Sequence, residues 1–384
     1  MGTRTPKSTQ QTKSSQEKAF LVAVEPKRSR NLWTAKDSLE ELAGLAWTAG
    51  AKVVGRMIQS LDVPSRNHYI GKGKIQELID LKEEVGYGTV IFDDELTPTQ
   101  QRNIEDLLKV KVIDRTALIL DIFAARAQTH EGRLQVELAQ HKYLLPRLAG
   151  QWQHLERLGG GIGTRGPGES QIETDRRLVR TKIDRLNKEI KKIQRHREVQ
   201  RKQRKDNRIP TVALIGYTNA GKSTLLNTLC KAGVFVQDKL FATLDPTTRR
   251  YVLPDNRKIL ITDTVGFIQK LPHSLVASFR ATLEELHFAD LLLHVIDITH
   301  DNAAEQTETV NDLLGELDLQ GKPVVLVCNK IDLLFPEAVK YSDDAAMDVV
   351  DKLGIVKTDD TVFISAVKKW GFDKLLDAIS AKLV

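Results

Sequence analysis

The chain has few of the residues that would indicate an oxidised or membrane-embedded protein. Its 384 residues include only two cysteines, Cys230 and Cys328, and aromatic side chains make up 5%. Two cysteines in apolar surroundings provide neither a disulfide framework nor a metal site, so buried, reduced thiols are expected. The longest mostly apolar stretches, Ala289–Val295 and Pro323–Cys328 among them, are far shorter than a membrane-spanning helix. The sequence therefore predicts a globular protein rather than an integral membrane protein.

The beginning of the chain lacks the apolar core of a secretory signal. Ten of the first 18 residues are Ser, Thr or Gln, and Glu17 is the only acidic residue among them. This composition predicts a disordered basic tail over residues 1–18. We expect a cytoplasmic protein, with an organelle stroma or matrix as the minor alternative because transit peptides have a similar composition.

Positive charge is concentrated in one segment. The net charge of the chain is +6, yet residues 176–208 alone contain 15 Lys or Arg against four Asp or Glu, a net charge of +11. The rest of the chain therefore has a net charge of −5. A local excess of this size favours a polyanionic partner over an ordinary solvated face. A membrane surface is the weaker alternative, because the apolar stripe of this segment is too narrow for insertion.

Residues 19–125 predict a small α/β domain. Short apolar runs alternate with helical patterns, and Thr97 followed by Pro98 is a typical helix start. We expect strands at 20–24, 53–61, 90–92 and 110–113, and helices at 37–48, 74–85 and 97–108. Such alternation is typical of a mostly parallel sheet.

Residues 126–208 predict an antiparallel helical hairpin, with two unrelated helices as the alternative. Each half has an apolar seam with heptad-like spacing. The first seam is Leu134, Leu138, His141, Leu145, Leu148, Trp152 and Leu155, and the second is Val179, Ile183, Leu186, Ile190 and Ile193. Pro146 is expected to kink the first helix.

The glycine-rich tip of this hairpin, residues 158–168, matches the letters GxGxxG. The match follows a helix rather than a strand, and Pro167 is expected to interrupt any helix that opens there, so a dinucleotide site is not predicted. We expect instead a backbone that fits closely against RNA, with Arg165 available for a phosphate.

Residues 209–384 begin with a phosphate-binding pattern. An apolar strand at 211–215 is followed by Gly216–Ser223, which fits GxxxxGK[ST], and by a helix at 224–230. The glycines allow backbone N–H groups to converge on phosphates at the helix N-terminus. Lys222 supplies a positive charge for the β and γ phosphates, and the Ser223 hydroxyl can bind Mg²⁺.

Three later motifs indicate that the base is guanine. Asp263–Gly266 fits DxxG, in which Asp263 reaches Mg²⁺ through a water and the Gly266 amide senses the γ phosphate. In Asn329–Asp332 the Asp332 carboxylate can accept from both N1 and N2 of guanine, a donor pair that adenine lacks. The amides of Ser365–Val367 can then hold the guanine O6. Four motifs in this order predict a P-loop GTPase domain with a six-stranded, mostly parallel sheet.

The motif order resembles the small GTPases of the translation-factor class, and three segments resemble the HflX-type GTPases in particular. These segments are Asp114–Phe123, Gly166–Arg177 and Phe241–Thr247, and the first two are much more family-specific than the phosphate-binding pattern. The resemblance extends over nearly all of the chain after the first 18 residues.

This resemblance implies roles for individual residues. It makes Lys222, Thr243, Gly266 and Asn219 catalytic, and it assigns Mg²⁺ to Ser223, Thr243 and Asp263. The implied nucleotide-binding set is Gly216, Tyr217, Thr218, Asn219, Ala220, Gly221, Lys222, Ser223, Thr224, Phe241, Ala242, Thr243, Leu244, Asp245, Asp263, Thr264, Val265, Gly266, Asn329, Lys330, Ile331, Asp332, Ser365, Ala366 and Val367.

Two of these assignments have alternatives. Thr247 and Thr248 lie near Thr243 in the sequence and could replace it as the Mg²⁺ ligand. Asn219 resembles the asparagine of potassium-activated GTPases, which implies K⁺ as a further cofactor, but a structural role in the loop is an equal alternative.

The resemblance implies a GTPase that binds GTP or GDP and the ribosomal RNA of the large subunit, and that separates stalled or idle ribosomes. We expect a monomer, since an apolar seam inside one chain is no evidence for a dimer. Phe267 stands where Ras-like enzymes have a water-orienting glutamine, so slow intrinsic hydrolysis that the ribosome stimulates is expected. The alternatives are an RNA remodelling enzyme that uses ATP as well as GTP, and a membrane-associated regulator.

Overall fold

The computed structural model describes residues 16–27, 33–151, 167–206, 209–230, 240–272, 285–335 and 360–383. These residues form two α/β layers and a helical hairpin, where each layer is one β-sheet together with the helices that pack on it. This architecture confirms the predicted fold class. The tail over residues 1–15 and the tip over 158–166 lie outside the described residues. Among the described helices, none is both long enough and apolar enough to cross a membrane.

The first sheet is entirely parallel. Its strands are β1 (Lys18–Pro26), β2 (Lys52–Leu61), β3 (Thr89–Phe92) and β4 (Lys111–Asp114), in the order β2-β1-β3-β4. β1 and β3 lie in the middle and are buried almost throughout, which explains their continuous apolar runs. The four predicted strands are confirmed.

Four helices accompany this sheet: α1 (Ala35–Thr48), α2 (Lys72–Val85), α3 (Pro98–Leu108) and α4 (Arg115–Arg126). The predicted start of α3 is confirmed, because the Gln100 N–H donates to the Thr97 hydroxyl and the Gln100 side chain accepts from the Thr97 N–H. α1 begins with the same reciprocal cap between Thr34 and Asp37.

The hairpin consists of α5 (His130–Gln151) and α6 (Pro167–Asp206). The two helices are antiparallel, because Glu131 pairs with Arg197 while Glu137, further along α5, pairs with Lys182. The packed part of the predicted seams consists of Leu134, Leu138, Ile183, Leu186, Ile190 and Ile193. Trp152 and Leu155 lie outside the described residues.

Both hairpin prolines lie in helices, and the kink expected at Pro146 stays a prediction. α5 continues through Pro146 to Gln151. Pro167 does not interrupt a helix but stands at the start of α6, so that prediction was wrong. The physical reason is that the missing proline N–H would have no intrahelical partner in the first turn, and the fixed φ already suits a helix.

The second sheet contains six strands and confirms the prediction for the GTPase domain. Its elements are β5 (Thr211–Gly216), α7 (Lys222–Cys230), β6 (Thr247–Val252), β7 (Lys258–Asp263), β8 (Leu291–Asp297), α8 (Ala303–Glu316), β9 (Val324–Asn329), β10 (Thr361–Phe363) and α9 (Phe372–Lys382). The order is β10-β9-β8-β5-β7-β6, and only the edge strand β6 is antiparallel to its neighbour among these strands.

The two sheets share one buried apolar cluster. Leu42 and Phe123 from the first layer belong to the same cluster as Phe241 and Phe267 from the second. The Phe123 and Phe241 rings meet edge to face, with 4.7 Å between their centroids. The first layer therefore packs directly against segments that border the nucleotide motifs.

A buried cation lies within this contact. Arg115, which is 1% exposed, donates to Asp93 Oδ1 at 2.6 Å, to Glu41 Oε2 at 2.6 Å and to the Gln269 carbonyl oxygen at 3.2 Å. Asp93 is fully buried and also pairs with Lys270. Since Gln269 and Lys270 follow the DxxG motif, this network fastens the first layer to the second.

The neighbouring Asp114 connects the first layer to the hairpin. Its carboxylate caps α4 by accepting from the Ala117 N–H at 2.9 Å. It also accepts from the Tyr143 hydroxyl at 2.9 Å and from Arg147 Nη2 at 3.1 Å, both on α5. Arg115 thus joins the first layer to the second, and the adjacent Asp114 joins the first layer to the hairpin.

Arg115→Met is expected to destabilise the protein strongly. The variant keeps most of the side-chain volume but leaves the buried Asp93 carboxylate with only Lys270 and the Ser38 hydroxyl as side-chain partners. Removing one partner of a buried pair costs about 3–5 kcal/mol in the free energy of unfolding. Urea unfolding followed by tryptophan fluorescence measures the change in the free energy of unfolding.

The control is Lys27→Met, because Lys27 pairs with Asp62 at 3.5 Å on an exposed surface. Loss of an exposed pair changes the unfolding free energy by no more than about 1 kcal/mol. If the two variants unfold at the same urea concentration, the buried network does not stabilise the domain contact.

Candidate nucleotide site

The phosphate-binding loop connects β5 to α7 and depends on close backbone approaches. Gly216 has φ +143°, and a Cβ there would lie 2.1 Å from the Val295 carbonyl oxygen. Gly221 has φ +97°, and a Cβ there would lie 2.2 Å from Asn329 Nδ2. Side chains at either position are therefore excluded by both conformation and space.

Lys222 lies inside this loop. It is 6% exposed, and its ammonium group donates to the carbonyl oxygens of Gly216 at 3.0 Å and Tyr217 at 2.7 Å. Burial lowers the pKa of Lys222 to about 8, against the opposing effect of Asp263. A buried ammonium group that bonds to neutral carbonyl oxygens at a helix N-terminus is suited to an anionic ligand such as a phosphate.

Three oxygen atoms converge next to the loop. Ser223 Oγ lies 2.7 Å from Thr243 Oγ1, and both hydroxyls lie near Asp263 Oδ2, at 2.6 and 3.0 Å respectively. Neighbouring ligands in an octahedral Mg²⁺ site are about 3 Å apart, given metal–oxygen distances of about 2.1 Å. The three residues therefore lie close enough together to hold one such ion.

The remaining oxygen of Asp263 supports this fit. Asp263 Oδ1 is buried and has no hydrogen-bond partner among the described residues. Burial raises the pKa of Asp263, and Lys222 opposes that shift. A metal ion or a metal-bound water would satisfy such an atom, because oxygen donors are what Mg²⁺ prefers.

The structure separates Thr243 from its two sequence neighbours. Thr247 and Thr248 lie in β6, and the Thr248 hydroxyl bonds to the Thr262 hydroxyl at 2.9 Å. Thr243 is thus the threonine that the fold brings beside Ser223 and Asp263.

Asn329, the first residue of the NKxD motif at residues 329–332, connects the base-binding motifs to the phosphate loop. Asn329, which is 2% exposed, donates from Nδ2 to the Ala220 carbonyl oxygen at 2.9 Å and accepts from the Ala366 N–H at 3.0 Å. Lys330 adopts a left-handed conformation and pairs with Asp297 at 2.6 Å. Asp332 follows in a 3₁₀ turn over Ile331–Leu334.

The segment after DxxG pairs with the phosphate loop through its backbone. The Thr218 N–H donates to the Phe267 carbonyl oxygen at 2.7 Å, and the Phe267 N–H donates to the Gly216 carbonyl oxygen at 3.1 Å. A Cβ on Gly266 would lie 2.9 Å from Thr218 Cα and 3.1 Å from Lys222 Nζ. Gly266 is therefore held directly against the site.

The predicted site residues fall into three groups. A cavity of about 50 Å³ is lined by Thr218, Asn219, Gly221, Lys222, Ser223, Thr224, Phe241, Ala242, Thr243, Thr264 and Gly266. Asn329, Ser365 and Ala366 are not part of this lining. Asn329 connects them to the phosphate loop, because its side chain bonds to both the Ala220 carbonyl oxygen and the Ala366 N–H. The side chains of Phe241 and Leu244 are buried in the apolar cluster, and Asp245 bonds to the hairpin.

Sequence reasoning missed the contacts that the first layer makes here. The Tyr217 hydroxyl donates to Glu41 and accepts from the Gln269 N–H at 2.7 Å. Lys270 pairs with Asp93 and, at 2.6 Å, with Asp94. No local signal marks the pairs Tyr217–Glu41 and Lys270–Asp93, because their members are 176 and 177 residues apart.

Phe267→Gln is expected not to accelerate GTP hydrolysis. Phe267 is 2% exposed and belongs to the shared apolar cluster, so a glutamine there would bury an amide rather than orient a water. We expect unchanged or lower turnover and a loss of about 3 kcal/mol in unfolding free energy. Steady-state phosphate release and thermal unfolding measure the two effects.

Phe267→Leu is the control, since an apolar replacement costs about 1.5 kcal/mol or less. A rise in turnover of about tenfold or more in the glutamine variant, which corresponds to about 1.4 kcal/mol of barrier, would contradict the buried position of this side chain.

Three family models match consecutive parts of the chain. A model described as GTP-binding GTPase N-terminal matches residues 36–124, one described as GTP-binding GTPase Middle Region matches residues 126–204, and one described as 50S ribosome-binding GTPase matches residues 211–330. These ranges contain β2 to β4 of the first sheet, most of the hairpin, and β5 to β9 of the second sheet.

Similar proteins extend over most of the chain. The GTPase HflX of Caldanaerobacter subterraneus subsp. tengcongensis is 50% identical over 96% of this chain and 81% of its own length. That of Escherichia coli is 47% identical over 83% of this chain and 74% of its own length. The crystal structure of the SsGBP–GDP complex is similar with a TM-score of 0.50 and 28% identity, covering 95% of this chain and 98% of that one. The chain belongs to the HflX family of GTPases.

Proposed function

We propose that this GTPase binds the large ribosomal subunit through its basic hairpin and, under the control of GTP, separates stalled or idle ribosomes. One observation carries the proposal. The apolar stripe of α6 is used up against α5, whereas its basic residues Lys188, Lys191 and Lys192 are exposed. Charge that no ion pair among the described residues requires is available for the phosphates of an RNA.

The nucleotide site supports a role for the GTP state. Ser223, Thr243 and Asp263 would hold Mg²⁺, which would supply positive charge to the phosphates. Lys222 would contact the same phosphates, and the Gly266 amide would sense the γ phosphate. Ordering of the Thr243 and Gly266 segments by GTP, and their release after hydrolysis, would switch ribosome binding on and off.

Other residues would bind the guanine base and a monovalent ion. Asp332 would accept from guanine N1 and N2, and the backbone of Ser365–Val367 would hold O6. Asn219, which has φ +62° and lines the phosphate cavity, would hold K⁺ beside the phosphates if a monovalent ion takes part. Because Phe267 is buried, the group that completes the catalytic site would come from the ribosome.

Large ribosomal subunits are expected to stimulate GTP turnover by about tenfold or more at low salt. The stimulation should weaken as salt rises, because each lysine–phosphate contact releases counterions. Triple replacement of Lys188, Lys191 and Lys192 by Glu should abolish the stimulation at salt concentrations at which the parent protein retains it. Phosphate release over a salt series measures both effects.

The matched control reverses three exposed lysines elsewhere, Lys52, Lys72 and Lys258. It has the same net charge as the hairpin variant and should keep the stimulation. Equal loss in both variants would mean that total charge, and not the hairpin, governs binding.

Asp332→Asn is expected to change the base that the site accepts. An asparagine amide cannot accept from both N1 and N2, but it can donate to the O2 of xanthine. We expect kcat/KM for GTP to fall by at least about 100-fold and turnover of xanthosine triphosphate to appear. Asp360→Asn, in an exposed pair with Lys382, is the control. ATP turnover that survives Asp332→Asn unchanged would favour a second nucleotide site and the RNA remodelling alternative.

A further inference from the structure

The segment that precedes β6 contacts three parts of the molecule in turn. Residues 240–245, which we call switch I, contain Phe241 against Phe123 of α4 and Thr243 beside Ser223 and Asp263. Two residues further on, the Asp245 carboxylate lies at the first turn of α5. The residue that faces the metal site is thus followed closely by one that faces the hairpin.

The contact of Asp245 with the hairpin consists of three hydrogen bonds. Asp245 Oδ2 accepts from the backbone N–H groups of Gln128 at 2.8 Å and Thr129 at 2.9 Å, and Oδ1 accepts from the Thr129 hydroxyl. The Thr129 hydroxyl in turn accepts from the Gly132 N–H at 2.9 Å. A carboxylate from switch I therefore completes the N-terminal cap of α5, where the helix dipole favours negative charge.

Gly132 shows how closely the two parts approach. A Cβ at this position would lie 2.2 Å from Asp245 Oδ1. The glycine lies in the first turn of α5, where helix propensity alone would favour a residue with a side chain. Space for the Asp245 carboxylate explains why this position has none.

The second hairpin helix reaches the same turn. Arg197 of α6 pairs at 2.8 Å with Glu131, which lies between Thr129 and Gly132. A continuous set of contacts therefore leads from α6 through the first turn of α5 to Asp245, and along two residues of backbone to Thr243.

We propose that Asp245 is a positioning residue that couples the hairpin to the metal site. It fixes the backbone of switch I against α5, so that Thr243 stays beside Ser223 and Asp263. Sequence resemblance placed Asp245 among the nucleotide-binding residues, whereas its carboxylate is occupied by the hairpin. The identity of the hairpin partner as ribosomal RNA rests on the proposed function, but the coupling itself does not.

The coupling has a necessary reciprocal. If an intact α5 terminus stabilises the Mg²⁺–GTP arrangement of switch I, then Mg²⁺–GTP stabilises the α5 terminus by the same free energy. A partner that binds the hairpin in this arrangement would therefore bind the GTP form more tightly than the GDP form. The GDP form should depend less on Asp245, since switch loops are ordered by the γ phosphate and its metal ion.

The test measures the Mg²⁺ concentration that half-saturates GTP turnover, without ribosomes, for Asp245→Ala and for Thr129→Val. The second variant removes the hydroxyl from the hairpin side and leaves switch I unaltered. Both are expected to raise the required Mg²⁺ by about tenfold, the effect of losing hydrogen bonds to a charged group. Affinity for GDP should change by less than about twofold. Asp245→Asn, which keeps one acceptor oxygen, should fall between the parent and Asp245→Ala.

Matched controls separate this role from general damage. Thr181→Val removes a hydroxyl that bonds to the Arg177 carbonyl oxygen within α6, and Asp255→Ala removes a carboxylate in the turn before β7. Both controls should leave the Mg²⁺ requirement unchanged. GDP binding and thermal unfolding show that each variant is folded.

The outcomes distinguish this inference from the proposed function. If Asp245→Ala and Thr129→Val both need the same Mg²⁺ as the parent, the coupling is overturned, whatever ribosomes do. If both variants shift but large subunits never stimulate the parent, the coupling stands and the ribosome proposal is wrong. If large subunits do stimulate the parent, Asp245→Ala should also lose most of the difference in subunit affinity between its GTP and GDP forms.

Discussion

The buried guanidinium of Arg115 is the contact on which the arrangement of the two α/β layers depends. A cation that is 1% exposed is stable only if its charge and its N–H groups are fully matched. Asp93 and Glu41 supply the charge, and the carbonyl oxygens of Ser38 and Gln269 accept further hydrogen bonds at 3.1 and 3.2 Å. Burial alone would raise the pKa of Asp93, but Arg115 and Lys270 lower it below its ordinary value. Because Gln269 and Lys270 belong to the segment after DxxG, the relative placement of the layers and the conformation of this segment are set together.

The nucleotide site is consequently not the property of one domain. The segment after DxxG is held from the first layer by Asp93, Asp94 and Glu41, the last acting through Tyr217. Switch I is held from the other side by the hairpin, through Asp245. Each of the two segments that a γ phosphate would order therefore contacts a part of the chain outside the second sheet. Any change in how those parts are arranged must alter the free energy of the site, because the contacts are short and directional.

Close packing around glycine gives the site its rigidity. Gly216, Gly221 and Gly266 stand where added side chains would meet Val295, Asn329 and Thr218 respectively. These contacts join the phosphate loop to β8, to the NKxD motif and to DxxG. The phosphate loop and Asn329, which is 109 residues from Ala220, are therefore in direct contact, and displacement of one motif requires displacement of the others. Gly132 extends the same principle to the hairpin, where the absent side chain makes room for Asp245.

Much of this organisation was determined by the sequence alone. The strands, the helix start at Thr97, the two hairpin seams and the four nucleotide motifs depend on local patterns of apolar residues, caps and glycines, which act over a few residues. Tertiary structure decided what those patterns do not contain. It placed Thr243, rather than Thr247 or Thr248, beside the Ser223 hydroxyl, because the latter two lie in strand β6 and pair with β7. It buried Phe267, began α6 at Pro167 and turned the Asp245 carboxylate towards α5. The pairs that join the layers, such as Lys270 with Asp93, lie 177 residues apart. A side chain whose partner is that distant has no local pattern, so only the folded chain determines which charges and hydroxyls meet.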